Sequence, residues 1–125
     1  MRRATIIAAG FSAILVMLTA APAFAGYGAL AHDDETGKYG LSANEDTQTK
    51  ADDVAMKECG GGKCKIVFRT VSRQCGAIAV AENAGSTGWG GGQGAQRAAA
   101  ELAAMNNCQK HTKGQCKIRA ADCNR

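Results

Sequence analysis

The chain lacks the residue patterns that most often reveal a metal site. Proline and tryptophan each occur once, and aromatic residues make up 5% of the sequence. No two cysteines form a CxxC pair, and neither His32 nor His111 sits at the ligand spacing of a zinc site, which argues against zinc. We therefore expect no metal and no cofactor.

The first 25 residues have the order of a secretory signal peptide. Two arginines precede an apolar stretch from Ile6 to Ala20, and Ala23-Phe24-Ala25 offers small residues at the two positions that a signal peptidase reads. The apolar stretch is shorter than the roughly 20 residues of a membrane span. We predict cleavage before Gly26, no membrane span in the mature chain, and a secreted or periplasmic location.

Charge is nearly balanced in the part that remains. The chain's 15 basic residues become 13 without the two arginines of the signal segment, against 11 acidic residues, so the net charge is +2. These charges are scattered, whereas a nucleic-acid-binding domain concentrates Lys and Arg on one face. We predict no nucleic-acid partner.

Cysteine, in contrast, is plentiful. A single domain of about 100 residues, here 26–125, excludes little surface from water and gains much from crosslinks. An even number of cysteines in a small exported chain predicts a disulfide framework. A catalytic thiol is not expected, since it would need a free cysteine and a positioned base. The six cysteines are Cys59, Cys64, Cys75, Cys108, Cys116 and Cys123.

An internal repeat gives the most information about the fold. Gly28-Ala29-Leu30-Ala31 aligns with Gly76-Ala77-Ile78-Ala79, and the two halves, about 27–74 and 75–123, then match element by element. In each half a short apolar strand is followed by a polar turn and by a second strand that begins with an aromatic-glycine pair. A helix that ends in cysteine and a β-prone run complete the unit.

The repeated unit is therefore strand, strand, helix, strand. We predict helices over 49–59, capped by Thr49 together with Asp52, and over 93–108, with the apolar residues around Leu102 on one face. One unit is too small to bury both faces of its sheet, so two copies should pack around a pseudo-twofold axis. The predicted fold is α+β, with antiparallel sheet, two helices and disulfide crosslinks.

The repeat also predicts how the cysteines pair. In each half, the cysteine that ends the helix should pair with the cysteine that opens the next strand, and the two remaining cysteines should connect the two copies. A crosslink that closes a long loop contributes on the order of 3 to 4 kcal/mol by restricting the unfolded chain. The predicted bridges are Cys59–Cys64, Cys108–Cys116 and Cys75–Cys123.

Three segments of the chain resemble a known family. They are the run from Tyr27 to Ala31, the segment Cys59-Gly-Gly-Gly-Lys-Cys64-Lys-Ile-Val, and Cys75-Gly-Ala-Ile-Ala-Val. Over nearly all of the mature part, the chain is similar to a bacterial exported family catalogued as domain of unknown function 4189. The resemblance implies a small secreted or periplasmic protein and carries over no catalytic residues.

Trp89 and Tyr39 are the candidate partner-binding residues. The glycines beside Trp89 would leave its ring accessible, although two aromatics in equivalent places also suit core packing. The glycine-rich run 88–94 lacks the Lys-Ser/Thr pair of a phosphate loop, so we interpret it as a strand end and a flexible connection. His32 and His111 are expected at the surface.

Two functions from different classes remain. The favoured one is a non-catalytic exported module that binds an unknown protein or envelope component. The alternative is a small cell-envelope hydrolase acting on peptidoglycan or another glycan, which needs two carboxylates facing each other across a cleft. Glu101, Asp52 or Asp33 beside Trp89 in a cleft would favour the enzyme, and a convex surface with these residues far apart would favour the module.

Overall fold

The repeated unit of the sequence is present twice in the computed structural model, which describes residues 26–83 and 88–125. The predicted signal segment, residues 1–25, lies outside the described residues. No helix in the described part of the chain is long and apolar enough to cross a membrane. The elements in chain order are β1 (Tyr27–His32), β2 (Tyr39–Glu45), α1 (Gln48–Cys59), β3 (Lys65–Thr70), β4 (Cys75–Ala81), β5 (Trp89–Gly94), α2 (Arg97–Gln109) and β6 (Cys116–Cys123).

The strands form two antiparallel sheets rather than one. Their strand orders are β2-β1-β3 and β5-β4-β6, so the small-residue strand is central in each. α1 packs on β1 and β2, α2 packs on β4 and β5, and the two sheets contact each other between the helices. The layer order is helix, sheet, sheet, helix, and this architecture confirms the predicted duplicated α+β fold.

Alternation along the central strands divides the core into layers. The two alanines that flank Leu30 pack against α1, and the two that flank Ile78 pack against α2. Leu30 and Ile78 are fully buried and point the opposite way, toward the interface between the sheets. Small residues thus face the helices, and larger ones face the other sheet.

The glycine-rich run is a strand, and the flexible connection predicted for it is wrong. β5 extends over Trp89–Gly94, and α2 begins at Arg97 instead of residue 93. A Cβ atom on Gly90 or Gly92 would overlap the α2 backbone around Ala104. The helix backbone therefore lies directly on this strand, and that tertiary contact outweighs the poor strand propensity of glycine.

The buried face of α2 also differs from the predicted one. Leu102 is 63% exposed, whereas the buried residues follow a spacing of four. A leucine would hold the helix away from the glycine strand, so alanine and cysteine occupy the contact face. The buried residues are Ala51, Ala55 and Cys59 in α1 and Ala100, Ala104 and Cys108 in α2.

α1 is capped two residues earlier than predicted. The hydroxyl oxygen of Thr47 accepts a hydrogen bond from the Lys50 N–H at 3.1 Å, so Thr47 and not Thr49 is the N-cap. Asp52 instead pairs with the guanidinium of Arg69. The predicted helix is thus present, and its predicted cap is wrong.

The three disulfides join the predicted pairs, but one has a different role. Cys59–Cys64 and Cys108–Cys116 each connect the end of a helix to the strand that follows. Cys75 and Cys123 lie directly opposite each other in β4 and β6. This bridge therefore links two neighbouring strands of the second sheet, and the expectation that it connects the two copies is wrong.

Two asparagines form a polar connection between the copies. Asn124, which follows β6, accepts a hydrogen bond from the Asn44 N–H at 2.9 Å and donates to Thr70 Oγ1 at 2.8 Å and to the Val71 carbonyl at 2.9 Å. Asn44 Oδ1 in turn accepts from the Arg125 N–H at 2.8 Å. Asn124 is 6% exposed, so these hydrogen bonds are largely shielded from water.

Replacing a glycine under α2 should destabilise the fold. We expect Gly92→Ala to lower the free energy of unfolding by about 1–3 kcal/mol or more, because the added methyl group forces the helix off the strand. Gly62→Ala is the matched control, since a Cβ there meets nothing within 4 Å. Urea denaturation measures both, and equal midpoints for the two variants would contradict the close packing.

Candidate functional site

The repeat brings four side chains together at one end of the stacked sheets. Tyr39 opens β2 opposite His32 of β1, and Trp89 opens β5 opposite Val80 of β4. Because the central strands of the two sheets are in contact, the two pairs meet across the interface. All four residues line one cavity.

His32 and Trp89 stack across the boundary between the two sheets. Their ring centroids are 3.8 Å apart and their planes make an angle of 18°. His32 lies on the same face of β1 as Leu30 and is 2% exposed, so the predicted surface position is wrong. Trp89 remains partly exposed although one face of its ring is covered.

Asp34 contacts the Nδ1 edge of the His32 ring. His32 Nδ1 lies 3.0 Å from Asp34 Oδ1, and Lys65 Nζ lies 2.9 Å from Asp34 Oδ2. Burial lowers the pKa of His32 and outweighs the opposing hydrogen bond and charge of Asp34. The neutral imidazole is therefore favoured, with its proton on Nδ1, because a carboxylate can only accept. The hydrogen bond from Lys65, with a smaller one from His32, lowers the pKa of Asp34.

Asp33 fixes the turn between β1 and β2. Its Oδ1 accepts hydrogen bonds from the N–H groups of Glu35 at 2.9 Å and Thr36 at 3.2 Å, and its Oδ2 accepts from the Lys63 N–H at 3.1 Å. Burial by itself would raise the pKa of this carboxyl, but the backbone hydrogen bonds outweigh it and lower the pKa. The turn is thereby tied to the α1–β3 connection, which the Cys59–Cys64 disulfide also constrains.

Trp89 lines two cavities. The smaller has a volume of about 310 Å³ and also contains Tyr39, His32 and Arg119; we call it the Trp89 cleft. The larger, of about 570 Å³, lies beside the exposed His111 and is lined in part by glycines of the run 88–91. The cleft combines aromatic rings with charged groups, so it is the stronger candidate for a ligand site.

Equivalent irregularities in the two sheets supply one residue to each cavity. The register of β3 against β1 shifts by one residue at Val67, and the register of β6 against β4 shifts in the same way at Arg119. Val67 lines the larger cavity and Arg119 lines the Trp89 cleft. The bulges therefore direct these two repeat-related residues to the open end of the interface.

The three acidic residues considered for a hydrolase do not meet in either cavity. Asp33 is buried against backbone N–H groups, Asp52 is held by the Arg69 guanidinium at 2.8–3.1 Å, and Glu101 lies on α2. None of these described residues lines a cavity beside the tryptophan, whereas Asp34 lines both.

Sequence reasoning named Trp89 and Tyr39 at this end of the fold and missed their neighbours. His32 could have been found from the hairpin register, since it lies opposite Tyr39 across the turn. The position of Arg119 depends on a bulge, for which the sequence has no signal. Within the described residues, no group of three or more His, Cys, Asp or Glu side chains could hold a metal ion.

The fold and the cleft define a class of protein: a disulfide-crosslinked duplicate of a small α+β unit, with an aromatic cleft at one end of the sheet interface. A family model described as domain of unknown function (DUF4189) matches residues 27–123. The chain belongs to this family, which confirms the resemblance noted in its sequence.

Relatives of this chain occur in mycobacteria. The chain is 35% identical over 83 residues to the uncharacterized proteins Rv1813c of Mycobacterium tuberculosis and Mb1843c of Mycobacterium bovis, a match that covers 66% of this chain and 53% of each relative. It thus spans about half the length of the curated relatives it matches. The NMR structure of Rv1813c superimposes with a TM-score of 0.57 at 28% identity, covering 99% of both chains, and supports the same fold.

The stability of the protein should fall as the pH drops below about 6.5, the ordinary pKa of histidine. The fold favours neutral His32, so the unfolded chain binds a proton more readily than the folded one. The stabilising contribution is complete above pH 6.5 and is lost progressively toward the lowered pKa of the folded state. Asp33 and Asp34, whose pKa values are lowered, add a second loss below their ordinary value of 3.8.

Urea midpoints measured between about pH 8 and about pH 5 test the histidine contribution. His32→Gln should flatten the profile over this range, whereas His111→Gln, which changes the exposed histidine, should keep the wild-type profile. A flat wild-type profile, or a flattening caused by His111→Gln alone, would contradict the assignment to His32.

Proposed function

We propose that this chain is a small exported module that binds a protein or an envelope component, without catalysis, through the Trp89 cleft. The observation that carries the proposal is a partly exposed aromatic surface whose parts are held in place before any ligand arrives. His32 stacks on Trp89, and Asp33 fixes the adjoining turn.

Preorganisation of the cleft supports a binding role. Groups that are already ordered lose less conformational entropy when a ligand binds, so the same contacts give a higher affinity. The ion pairs of Lys63 with Glu35 and of Lys65 with Asp34 add to this order. Both pairs are exposed and contribute little to stability, but they orient the carboxylates at the rim of the cleft.

The ionisation of the carboxyl groups in and next to the cleft favours binding over glycan hydrolysis. A glycosidase needs a carboxylic acid with a raised pKa that faces a second carboxylate across the substrate. The pKa values of Asp33 and Asp34 are lowered instead, by backbone hydrogen bonds in the first case and mainly by Lys65 in the second. The alternative of a cell-envelope hydrolase would have to rely on Asp34 and Glu35, the two carboxylates that line the Trp89 cleft.

Export is part of the proposal and rests on the signal-like segment and the disulfides. We expect the protein isolated from its native host to begin at Gly26 and to carry no free thiol. Intact mass after alkylation without reductant, followed by peptide mapping, measures both properties. A retained segment 1–25 or an alkylated cysteine would refute export by the secretory route.

The cleft should be required for binding to the cell envelope. We expect the mature protein to co-sediment with envelope fractions of the native host, and Trp89→Ala to lower the bound fraction at least about fivefold, because truncating an aromatic anchor costs more than 1 kcal/mol. Leu102→Ala is the matched control, since Leu102 is an exposed apolar residue of α2 away from the cleft.

Three outcomes of that experiment would count against the proposal. Absence of sedimentation would remove the envelope as partner, and an equal loss in Leu102→Ala would indicate nonspecific apolar adsorption. Release of soluble sugar fragments from purified peptidoglycan, abolished by Asp34→Asn, would establish the hydrolase instead.

A further inference from the structure

The charges of the Trp89 cleft are unequally compensated. Asp34 forms an ion pair with Lys65 and accepts a hydrogen bond from the neutral His32, and Glu35 forms an ion pair with Lys63. Among the described residues, the side chain of Arg119 forms neither a hydrogen bond nor an ion pair. The charge available to a ligand in the cleft is therefore positive, and the group it would take is an anion.

The guanidinium of Arg119 narrows the class of anion that the cleft would bind. A guanidinium presents a planar fork of N–H donors that matches a carboxylate through two parallel hydrogen bonds. Arg119 is exposed and stands at the bulge of the edge strand β6, where its side chain lines the cleft. Since no partner has to be displaced, the whole fork is available to an incoming carboxylate.

Aromatic rings lie beside Arg119 in the same cleft. Tyr39 and Trp89 are both partly exposed and line it together with His32. The face of an aromatic ring carries negative charge density and attracts the weakly positive C–H groups on one face of an aliphatic ring. A sugar ring has such a C–H face, whereas an inorganic anion has none.

The carboxylates at the rim of the cleft, Asp34 and Glu35, can accept hydrogen bonds from hydroxyl groups. An ionised carboxylate has about four acceptor positions, and the ion pairs of Asp34 and Glu35 occupy only some of them. Thr36 adds a hydroxyl group to the lining. The volume of about 310 Å³ is at the lower end of the roughly 300–1,000 Å³ typical of ligand pockets, and so fits one ring rather than a long segment.

We propose, on the basis of the proposed binding function, that the Trp89 cleft binds a sugar ring that carries a carboxylate. The carboxylate lies on Arg119, the ring packs against Tyr39 and Trp89, and ring hydroxyls donate to Asp34 and Glu35. An acidic peptide supplies the carboxylate but few hydroxyl donors, and phosphate supplies no ring, so each satisfies only part of the cleft.

The emission of Trp89, the single tryptophan of the chain, reports on binding directly. The probe is the disaccharide of N-acetylglucosamine and N-acetylmuramic acid, and its matched neutral counterpart is N,N′-diacetylchitobiose, which lacks the carboxylate. We expect a saturable change in emission with the acidic disaccharide and at least tenfold weaker binding of the neutral one. Equal affinity for both would overturn the role of the carboxylate.

A pair of variants in β6 separates a specific contact from general electrostatic attraction. Arg119→Gln and Lys117→Gln remove the same charge from two exposed positions of one strand, and only Arg119 lines the cleft. We expect Arg119→Gln to weaken binding of the acidic disaccharide at least tenfold and Lys117→Gln to leave it within about twofold. Equal losses in both variants would overturn the assignment of the carboxylate to Arg119.

Two competitors distinguish the other ligand classes. If inorganic phosphate binds as tightly as the acidic disaccharide, the ligand of the cleft is a simple anion and not a sugar. If a tetraglutamate peptide does so, the ligand is an acidic peptide. If the acidic disaccharide fails to bind while Trp89-dependent sedimentation with the envelope persists, the sugar assignment is wrong and the binding function stands. If neither disaccharide binding nor Trp89-dependent sedimentation is observed, both the sugar assignment and the proposed binding function are overturned.

Discussion

The close approach of each helix to its sheet is the constraint on which the rest of the structure depends. In the second half the backbone of α2 lies directly on Gly90 and Gly92. In the first half Gly40 has the same role, and the Ser42 hydroxyl donates a hydrogen bond to the Ala51 carbonyl of α1 at 2.7 Å. Side chains larger than alanine or cysteine cannot fit there, so these layers bury little apolar area, and crosslinks at the helix ends supply stability in its place.

The same constraint moves the larger apolar residues to the opposite face of each sheet. Leu30 and Ile78 fill the interface between the sheets, and the side chain of Phe68 lies against Gly76 and Gly91 of the other copy. Each copy therefore covers the apolar face of the other, although no disulfide connects them. The Trp89 cleft lies at one end of this interface and is lined by residues of both copies.

The candidate site arises where the two copies differ. Tyr39 and Trp89 hold equivalent places, but the equivalent of His32 is Val80, and the equivalent of Arg119 is Val67. A symmetric scaffold thus carries a stacked histidine on one side and a free guanidinium on the other. Because the acidic residues at the rim are neutralised within the protein, the cleft suits the recognition of an anion better than acid catalysis.

The sequence by itself determined the repeated unit, the three cysteine pairs and the family, because periodicity, turn residues and the alignment of the halves are local signals. Only the tertiary structure decided that the strand beginning at Trp89 runs through the glycines to Gly94, that Leu102 faces solvent, that Cys75–Cys123 links two strands of one sheet, and that His32 is buried on Trp89. The physical reason is that burial depends on what lies opposite a residue. A helix that packs on glycine selects alanine over leucine, and a bulge decides which face of the sheet an arginine side chain reaches. Neither the packing partner nor the bulge can be read from the neighbouring residues alone.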